Sequence, residues 1–287
     1  MASIAFLTMD SLAGFECDDE RVIAPLRQRG IEVVFAPWRQ PTDWTAFQAV
    51  IVRSPWDYQA HCDEFLTVLR TIDQSGTPLW NPLPLMEWNL HKSYLLELAA
   101  KGVPIVPTIR GRNLTKDTLR TLPDHWDCSE IIIKPIIGAG ASRTHRLRTP
   151  WTESAERTAV ADHHNTEYLA QPFLTSIIEE GEFSLIYFQG CLSHAILKTP
   201  RAGDFRSQEE FGSRLQEVTP DNELREHGDR VLAALPDRPL YARVDLIRHA
   251  GGFSLMEVEL IEPALYLSKS QGAADRFAEA LQSHLFS

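Results

Sequence analysis

The chain has 287 residues, of which 44% are hydrophobic and 23% charged, a globular composition that excludes disordered, collagen-like and coiled-coil proteins. Lys and Arg total 28 and Asp and Glu total 39, so the net charge of −11 argues against nucleic-acid and membrane partners. The four cysteines form no C-x-x-C pair and no apolar run is long enough to span a membrane, so we expect a soluble, cytoplasmic protein.

Residues 1–84 have the alternating pattern of a small open α/β lobe. Strands are predicted at 3–8, 31–35 and 47–52, with one helix ending at Gly30 and another over 65–72. Ligands of such sheets bind beyond the carboxyl ends of the strands, where Asp10, Arg53 and Ser54 lie. We therefore predict that these three residues contact the substrate. A proline-rich segment over 77–84 marks the first domain boundary.

The remaining chain is predicted to form two α+β lobes, over 85–172 and 173–287. A helix is expected over 85–101, because Gly102 is a typical residue for a helix C-terminus. Apolar segments then predict strands at 131–134, 168–173, 182–188, 191–198, 241–247 and 253–261, and helices at 221–235 and 273–285.

A glycine- and alanine-rich loop follows the strand that ends at Lys134. Small side chains allow backbone N–H groups to approach an anion closely, and the lysine adds a positive charge beside them. The loop completes neither a Walker nor a Rossmann motif, and a flexible hairpin remains the alternative. The triphosphate lid that we predict consists of Gly138, Ala139, Gly140, Ala141 and Ser142.

Three acidic residues are predicted to lie together on two neighbouring strands. A strand period of two places Asp245 on the polar face of its strand, and Glu257 and Glu259 on the polar face of the next. With a loop centred on Gly251, Asp245 and Glu257 become cross-strand neighbours, which is unfavourable unless a cation lies between them. Oxygen ligands favour Mg²⁺, and an exposed acidic strand face is the alternative.

Two further segments are candidates for ligand contacts. Lys198, Arg201 and Arg206 place three cations within nine residues of an acidic chain, which indicates an anion site or, alternatively, a solvated basic loop. The segment Gln171–Leu174 and the acid Glu182 can offer backbone groups and a carboxylate to a base and a ribose, or can form an ordinary strand and loop.

The order of these features resembles the ATP-grasp superfamily, whose two α+β lobes enclose ATP after an N-terminal α/β lobe. Arg53-Ser-Pro-Trp-Asp-Tyr58, Trp88-Asn89, Ser193-His-Ala195 and Gly203-Asp-Phe-Arg206 are similar to the glutathione-synthetase-like branch, and more narrowly to the O-ureido-D-serine cyclo-ligase group that closes the D-cycloserine ring. Glu259 departs from the superfamily, which usually has Asn at this position.

The resemblance assigns a role to most of the candidates. Lys92 and Lys134 are expected to bind phosphates and Arg206 to steady the transferred phosphoryl group. Lys198 and Arg201 are kept as catalytic candidates because of the basic loop, and not because of the resemblance. The adenine and ribose contacts implied are Gln171, Pro172, Phe173, Leu174 and Glu182, and the Mg²⁺ ligands implied are Asp245, Glu257 and Glu259.

The function implied is an ATP- and Mg²⁺-dependent carboxylate-amine ligase that acts through an acyl phosphate on a small amino-acid-like substrate. A homodimer is also implied. The alternatives are a small-molecule kinase with the same fold, whose product retains the phosphate, and a non-catalytic nucleotide-binding protein.

Overall fold

The computed structural model describes residues 2–138 and 140–286, which form three sheets with helices around them. The strands are β1 (Ala2–Thr8), β2 (Ile31–Pro37), β3 (Ala49–Ser54), β4 (Leu79–Trp80), β5 (Ile109–Arg112), β6 (Glu130–Pro135), β7 (His145–Arg148), β8 (Glu167–Pro172), β9 (Glu182–Phe188), β10 (Cys191–Thr199), β11 (Arg214–Val218), β12 (Tyr241–His249) and β13 (Gly252–Glu259).

The helices are α1 (Ile23–Gln28), α2 (Cys62–Gln74), α3 (Leu83–Leu90), α4 (Tyr94–Ala100), α5 (Lys116–Thr121), α6 (Glu153–Asp162), α7 (Ser176–Glu179), α8 (Asn222–Ala234) and α9 (Ala273–Leu285). Within the described ranges, none of these helices has both the length and the hydropathy that crossing a membrane requires.

The N-terminal sheet is parallel, with strand order β2-β1-β3-β4. All six residues of β3 are buried, as expected for a parallel sheet that is covered on both faces. The predicted α/β lobe is therefore confirmed.

The central sheet is antiparallel, with order β5-β8-β6-β7. Along β6, Ile131 and Ile133 point into the core of this lobe, whereas Ile132 and Lys134 line the opposite surface. This alternation follows from the strand period of two. It places the predicted phosphate-binding lysine on the face of the sheet that meets the C-terminal lobe.

The C-terminal sheet is antiparallel, with order β11-β10-β9-β12-β13. In the pairing of β12 with β13, Asp245 lies opposite Glu257 and Arg243 lies opposite Glu259. The cross-strand pairing of the first two acids is thus confirmed. The same register shows why Arg243 faces the same surface as the acids.

The predicted single helix over 85–101 is instead two helices, α3 and α4, which are separated by His91, Lys92 and Ser93. The Lys92 backbone amide donates to the carbonyl of Ile136 at 2.9 Å, beyond the end of β6. This tertiary hydrogen bond accompanies the helix break. Apolar side chains of α3 and α4 pack with the cores of the N- and C-terminal sheets and also contact the cluster that contains Ile136 and Leu169 of the central region.

The N- and C-terminal sheets share one apolar core, which includes Phe6, Ile51, Phe188 and Phe277, whereas the central sheet has its own core. The buried side chain of Asn81 reinforces this junction. Its amide nitrogen donates to the backbone carbonyls of Tyr241 (2.9 Å) and Leu260 (2.7 Å), and its oxygen accepts from Leu240 N (2.7 Å). The two outer sheets are therefore joined by polar as well as apolar contacts.

Candidate active site

A cavity of about 650 Å³ lies between the central and C-terminal sheets, and the N-terminal lobe closes one end of it. We call it the cleft. The sequence-predicted residues that line the cleft are Lys92, Lys134, Gly138, Gly140, Ala141, Ser142, Gln171, Pro172, Phe173, Leu174, Glu182, Lys198, Arg206, Asp245, Glu257 and Glu259. Ala139 lies outside the described residues. Asp10, Arg53, Ser54 and Arg201 are absent from the lining among the residues that the structure describes.

Two lysines enter the cleft from different elements. Lys92 stands between α3 and α4 and its ammonium contacts the carboxylate of Glu257. Lys134 lies near the end of β6, on the face that lines the cleft. Burial and the charge of Lys92 lower its pKa to about 8, although Glu257 raises it. Two positive groups are thus placed side by side, an arrangement that attracts a polyanion.

The predicted acids form ion pairs with protein cations. Asp245 accepts hydrogen bonds from Arg243 at 3.1 Å and from the hydroxyl of Ser184 at 2.5 Å, and Arg243 also contacts Glu259. No group of three or more His, Cys, Asp or Glu residues is arranged to hold a metal ion in the described part of the chain. Lys92, Lys198 and Arg243 compensate part of the negative charge of these acids, and Mg²⁺ binding at this position stays a prediction.

The electrostatic surroundings shift the pKa values of the three acids in different directions. Burial opposes ionisation of Asp245, but Arg243 and Lys198 outweigh it and lower its pKa to about 2. Lys92 and Lys134 likewise lower the pKa of Glu257 against the effect of burial. Burial and the neighbouring carboxylates instead raise the pKa of Glu259 to about 8, despite Arg243.

Lys198 is buried and does not reach out to solvent. Its side chain is 3% exposed, and its ammonium lies 2.8 Å from Glu182 Oε1 and 3.5 Å from Asp245 Oδ1. The second oxygen of Glu182 accepts a hydrogen bond from Ser207. Lys198 was predicted as part of an anion site, but its burial between two carboxylates indicates that it positions them.

The loop after β10 places its basic residues differently. The Arg206 guanidinium lies in the cleft, where Asp204 accepts its hydrogen bonds (2.7 Å) and the ring of Phe211 stacks on it at 3.7 Å. These partners hold it in a fixed orientation. Arg201 is exposed and absent from the cleft among the described residues. A direct contact of Arg201 with a ligand is therefore not supported.

The Gln171–Leu174 segment forms one side of an apolar part of the cleft, which we call the apolar slot. Ile132, Ile247 and Met256 line it together with Phe173 and Leu174. The Phe173 amide donates to the Glu130 carbonyl at 2.9 Å, so this N–H group is already used by the sheet. The apolar side chains of the slot suit the binding of a ligand such as a base.

The predicted substrate residues of the N-terminal lobe lie away from the cleft. Arg53 is 2% exposed, and its guanidinium donates to Asp19 at 2.9 and 3.0 Å and to the carbonyl of Pro263 at 3.2 Å. The hydroxyl of Ser54 is buried against that of Thr8. The C-terminal lobe packs over the end of β3, so Arg53 and Ser54 contact other groups of the protein and not the cleft. Asp10 is exposed and binds Gln40 (2.8 Å).

Other residues at this end of the cleft were not identified from the sequence. They are Phe15, Glu16, Trp56, Gln59 and Glu262, which line the cleft, together with Arg243. The strand period already placed Arg243 beside Asp245, so its role could have been found. Glu262 lies in an ordinary Leu-Ile-Glu-Pro sequence, which carries no motif.

Comparison with known proteins agrees with this geometry. Residues 4–81 match the family model described as the N-terminal domain of D-cycloserine synthetase DcsG. The cycloserine biosynthesis protein DcsG of Streptomyces lavendulae is 32% identical over 99% of each chain. The crystal structure of D-cycloserine synthetase DcsG superposes with a TM-score of 0.87 at 30% identity and covers 99% of this chain and 100% of that one.

More distant structures share the fold. A D-alanine–D-alanine ligase from Bacillus anthracis in complex with ATP has a TM-score of 0.70 at 16% identity, with 100% of this chain and 98% of that chain covered. The ATP-grasp ligase PsnB, in complex with a minimal precursor, Mg and ADP, has a TM-score of 0.68 at 16% identity, with 99% and 97% covered. The predicted ATP-grasp fold is confirmed, and the chain belongs to the D-cycloserine synthetase family of ATP-grasp ligases.

Proposed function

We propose that this protein is an ATP-dependent carboxylate-amine ligase that closes the ring of D-cycloserine from O-ureido-D-serine. The full-length similarity to a cycloserine biosynthesis protein carries this proposal. The kinase and non-catalytic alternatives are not favoured, because the similar proteins are synthetases and ligases.

The cleft residues suit the binding of ATP. The apolar slot beside Phe173 and Leu174 accepts the base, and Glu182, which also lines the cleft, is the acid for the ribose. Lys92, Lys134 and the small-residue lid supply positive charge and close backbone approach for the phosphates. ATP supplies the phosphoryl group that activates the substrate carboxylate. The substrate nitrogen that is bonded to the side-chain oxygen then attacks the acyl carbon and displaces phosphate, which closes the ring. Water must then remove the carbamoyl group that this nitrogen still carries, as carbamic acid that decomposes to CO₂ and ammonia, to give D-cycloserine.

Two of the three acids fit a Mg²⁺ ion. Glu257 and Glu259 have side chains that are 30% exposed on the cleft wall, and each contacts a protein cation through only one carboxylate oxygen. Asp245 is only 3% exposed and is enclosed by Arg243, Lys198 and Ser184. We therefore propose Glu257 and Glu259 as ligands and Asp245 as the residue that fixes Arg243 and Lys198. When bound, Mg²⁺ supplies positive charge to the phosphate oxygens.

The chain contributes orientation and charge, which dominate phosphoryl transfer. Lys92 and Lys134 hold the phosphates beside the acids, while Asp204 and Phe211 keep the Arg206 guanidinium directed into the cleft. The expected homodimer and cytoplasmic location stay predictions.

The test is phosphate release from ATP with Mg²⁺ and O-ureido-D-serine, with mass spectrometry of the product. We expect free phosphate and a product that contains a new ring amide. A product that retains phosphate would identify a kinase, and ATP consumption that does not depend on the acid would refute the ligase proposal.

A further inference from the structure

Glu262 differs from the other carboxylates that are at least partly buried in the cleft. Glu182, Glu209, Asp245, Glu257 and Glu259 each form an ion pair with a lysine or arginine. Among the described residues Glu262 forms none, although it also lines the cleft and is half-buried. It is therefore the partly buried acid of this site that lacks a cationic partner from the chain.

Neutral groups of the N-terminal lobe hold Glu262 in place. The Gln59 amide donates to its Oε1 at 3.2 Å, and the buried hydroxyl of Tyr58 interacts with the same carboxylate. The indole N–H of Trp56 donates to its backbone carbonyl at 3.0 Å. Gln59 and Tyr58 thus orient the carboxylate and Trp56 fixes the backbone of Glu262, while none of these neutral groups compensates its charge.

Burial of a carboxylate without a counter-charge is unfavourable, and such groups are paired in most proteins. Burial raises the pKa of Glu262 to about 7, with Glu257 acting in the same direction against Tyr58 and Lys92. A cation supplied by a ligand would relieve this cost. The position of the acid within the cleft makes such a ligand accessible to it.

We propose that Glu262, oriented by Gln59, Tyr58 and Trp56, binds the α-ammonium group of the amino-acid substrate and selects for it. This inference rests on the proposed function, because it assumes a substrate with both a carboxylate and an ammonium group.

The location of Glu262 matches the shape of an amino acid. It follows Glu259 by three residues, and its charge interacts with those of Lys92 and Glu257, where the substrate carboxylate is expected to meet the phosphates. The ammonium and carboxylate of an α-amino acid are attached to the same carbon, so their binding sites must adjoin. Trp56 and Phe15, with ring centroids 5.6 Å apart, form an apolar wall beside this position.

Calorimetric binding in the presence of Mg²⁺ and ADP tests the proposal without turnover. The ligands are O-ureido-D-serine and the analogue in which hydrogen replaces the α-amino group. Glu262→Gln keeps the shape and hydrogen-bonding capacity of the side chain but removes the charge, and Glu262→Asp keeps the charge. Glu16→Gln is the matched control, because Glu16 is an exposed acid of the same end of the cleft.

We expect wild-type protein and Glu16→Gln to bind the amino compound about 30-fold or more tightly than the analogue, as for other buried charge pairs. Glu262→Gln abolishes this preference by weakening only the amino compound, and Glu262→Asp retains part of it. The proposal is overturned if wild-type protein shows no preference, if Glu262→Gln retains it, or if Glu16→Gln loses it. If the protein prefers the amino compound but releases no phosphate, the ligase function is refuted while the proposed ammonium site stands.

Discussion

The replacement of Lys198 by methionine separates a structural from a ligand-binding role for this residue. In the structure its ammonium lies within 2.8 Å of Glu182 and 3.5 Å of Asp245, and all three side chains are less than 10% exposed. Lys198→Met removes the cation and leaves the two buried carboxylates with less positive charge beside them. Loss of one member of a buried ion pair costs about 3–5 kcal/mol.

We therefore expect the free energy of unfolding of Lys198→Met, measured by urea denaturation, to fall by about 3–5 kcal/mol. For a chain of this size the corresponding drop in Tm is about 6–10 °C, at about 2 °C per kcal/mol. Arg201→Met is the control, because Arg201 is an exposed cation of the following loop, and its cost is expected to stay within about 0.5 kcal/mol. A Lys198→Met protein of wild-type stability with a raised KM for ATP would refute this reasoning and restore the anion-binding role.

Three further predictions concern the site and the lobes. Glu257→Gln is expected to lower phosphate release to background while the circular dichroism spectrum stays unchanged, because it removes a proposed Mg²⁺ ligand. Excess EDTA should lower phosphate release by the wild-type protein in the same way. Full activity in either experiment would remove the metal from the mechanism. Asn81→Leu leaves three buried backbone groups without partners, at a cost of about 1–3 kcal/mol each. The free energy of unfolding measured by urea denaturation should therefore fall by at least about 3 kcal/mol. A smaller decrease would mean that water replaces the amide. Burial lowers the pKa of His194 to about 4, so the unfolded chain binds more protons than the folded one between pH 6.5 and pH 4. The free energy of unfolding should therefore fall by about 3 kcal/mol as the pH drops through that range. His194→Gln should weaken this pH dependence of stability, and the same pH dependence in both proteins would contradict the assignment.

Local patterns allowed much of the cleft to be predicted. The strand period and one short loop predicted the pairing of Asp245 with Glu257. In the structure the turn pairs His249 with Gly252, and a register shift between Asp245 and Leu246 brings Glu257 opposite Asp245. The position of Lys134 near the end of β6 likewise follows from a local strand pattern. Such features depend on residues within about fifteen positions of one another.

Contacts between distant segments could not be predicted in this way. Arg53 was predicted to follow its strand but lies within β3, where Asp19 and Pro263 cover it, and the latter is 210 residues away. The break between α3 and α4 likewise depends on the carbonyl of Ile136. Glu262 was missed for the same reason, since its significance lies in partners from the other end of the chain.

The shared core of the N- and C-terminal sheets has a consequence for cooperativity. These two sheets should open and unfold as one unit, since separating them exposes a common apolar surface and breaks the hydrogen bonds of Asn81. The central sheet has a core of its own on one face, while Ile136 and Leu169 pack with the C-terminal sheet. A ligand in the cleft touches both sheets, so its binding free energy should stabilise the contact between them against local opening.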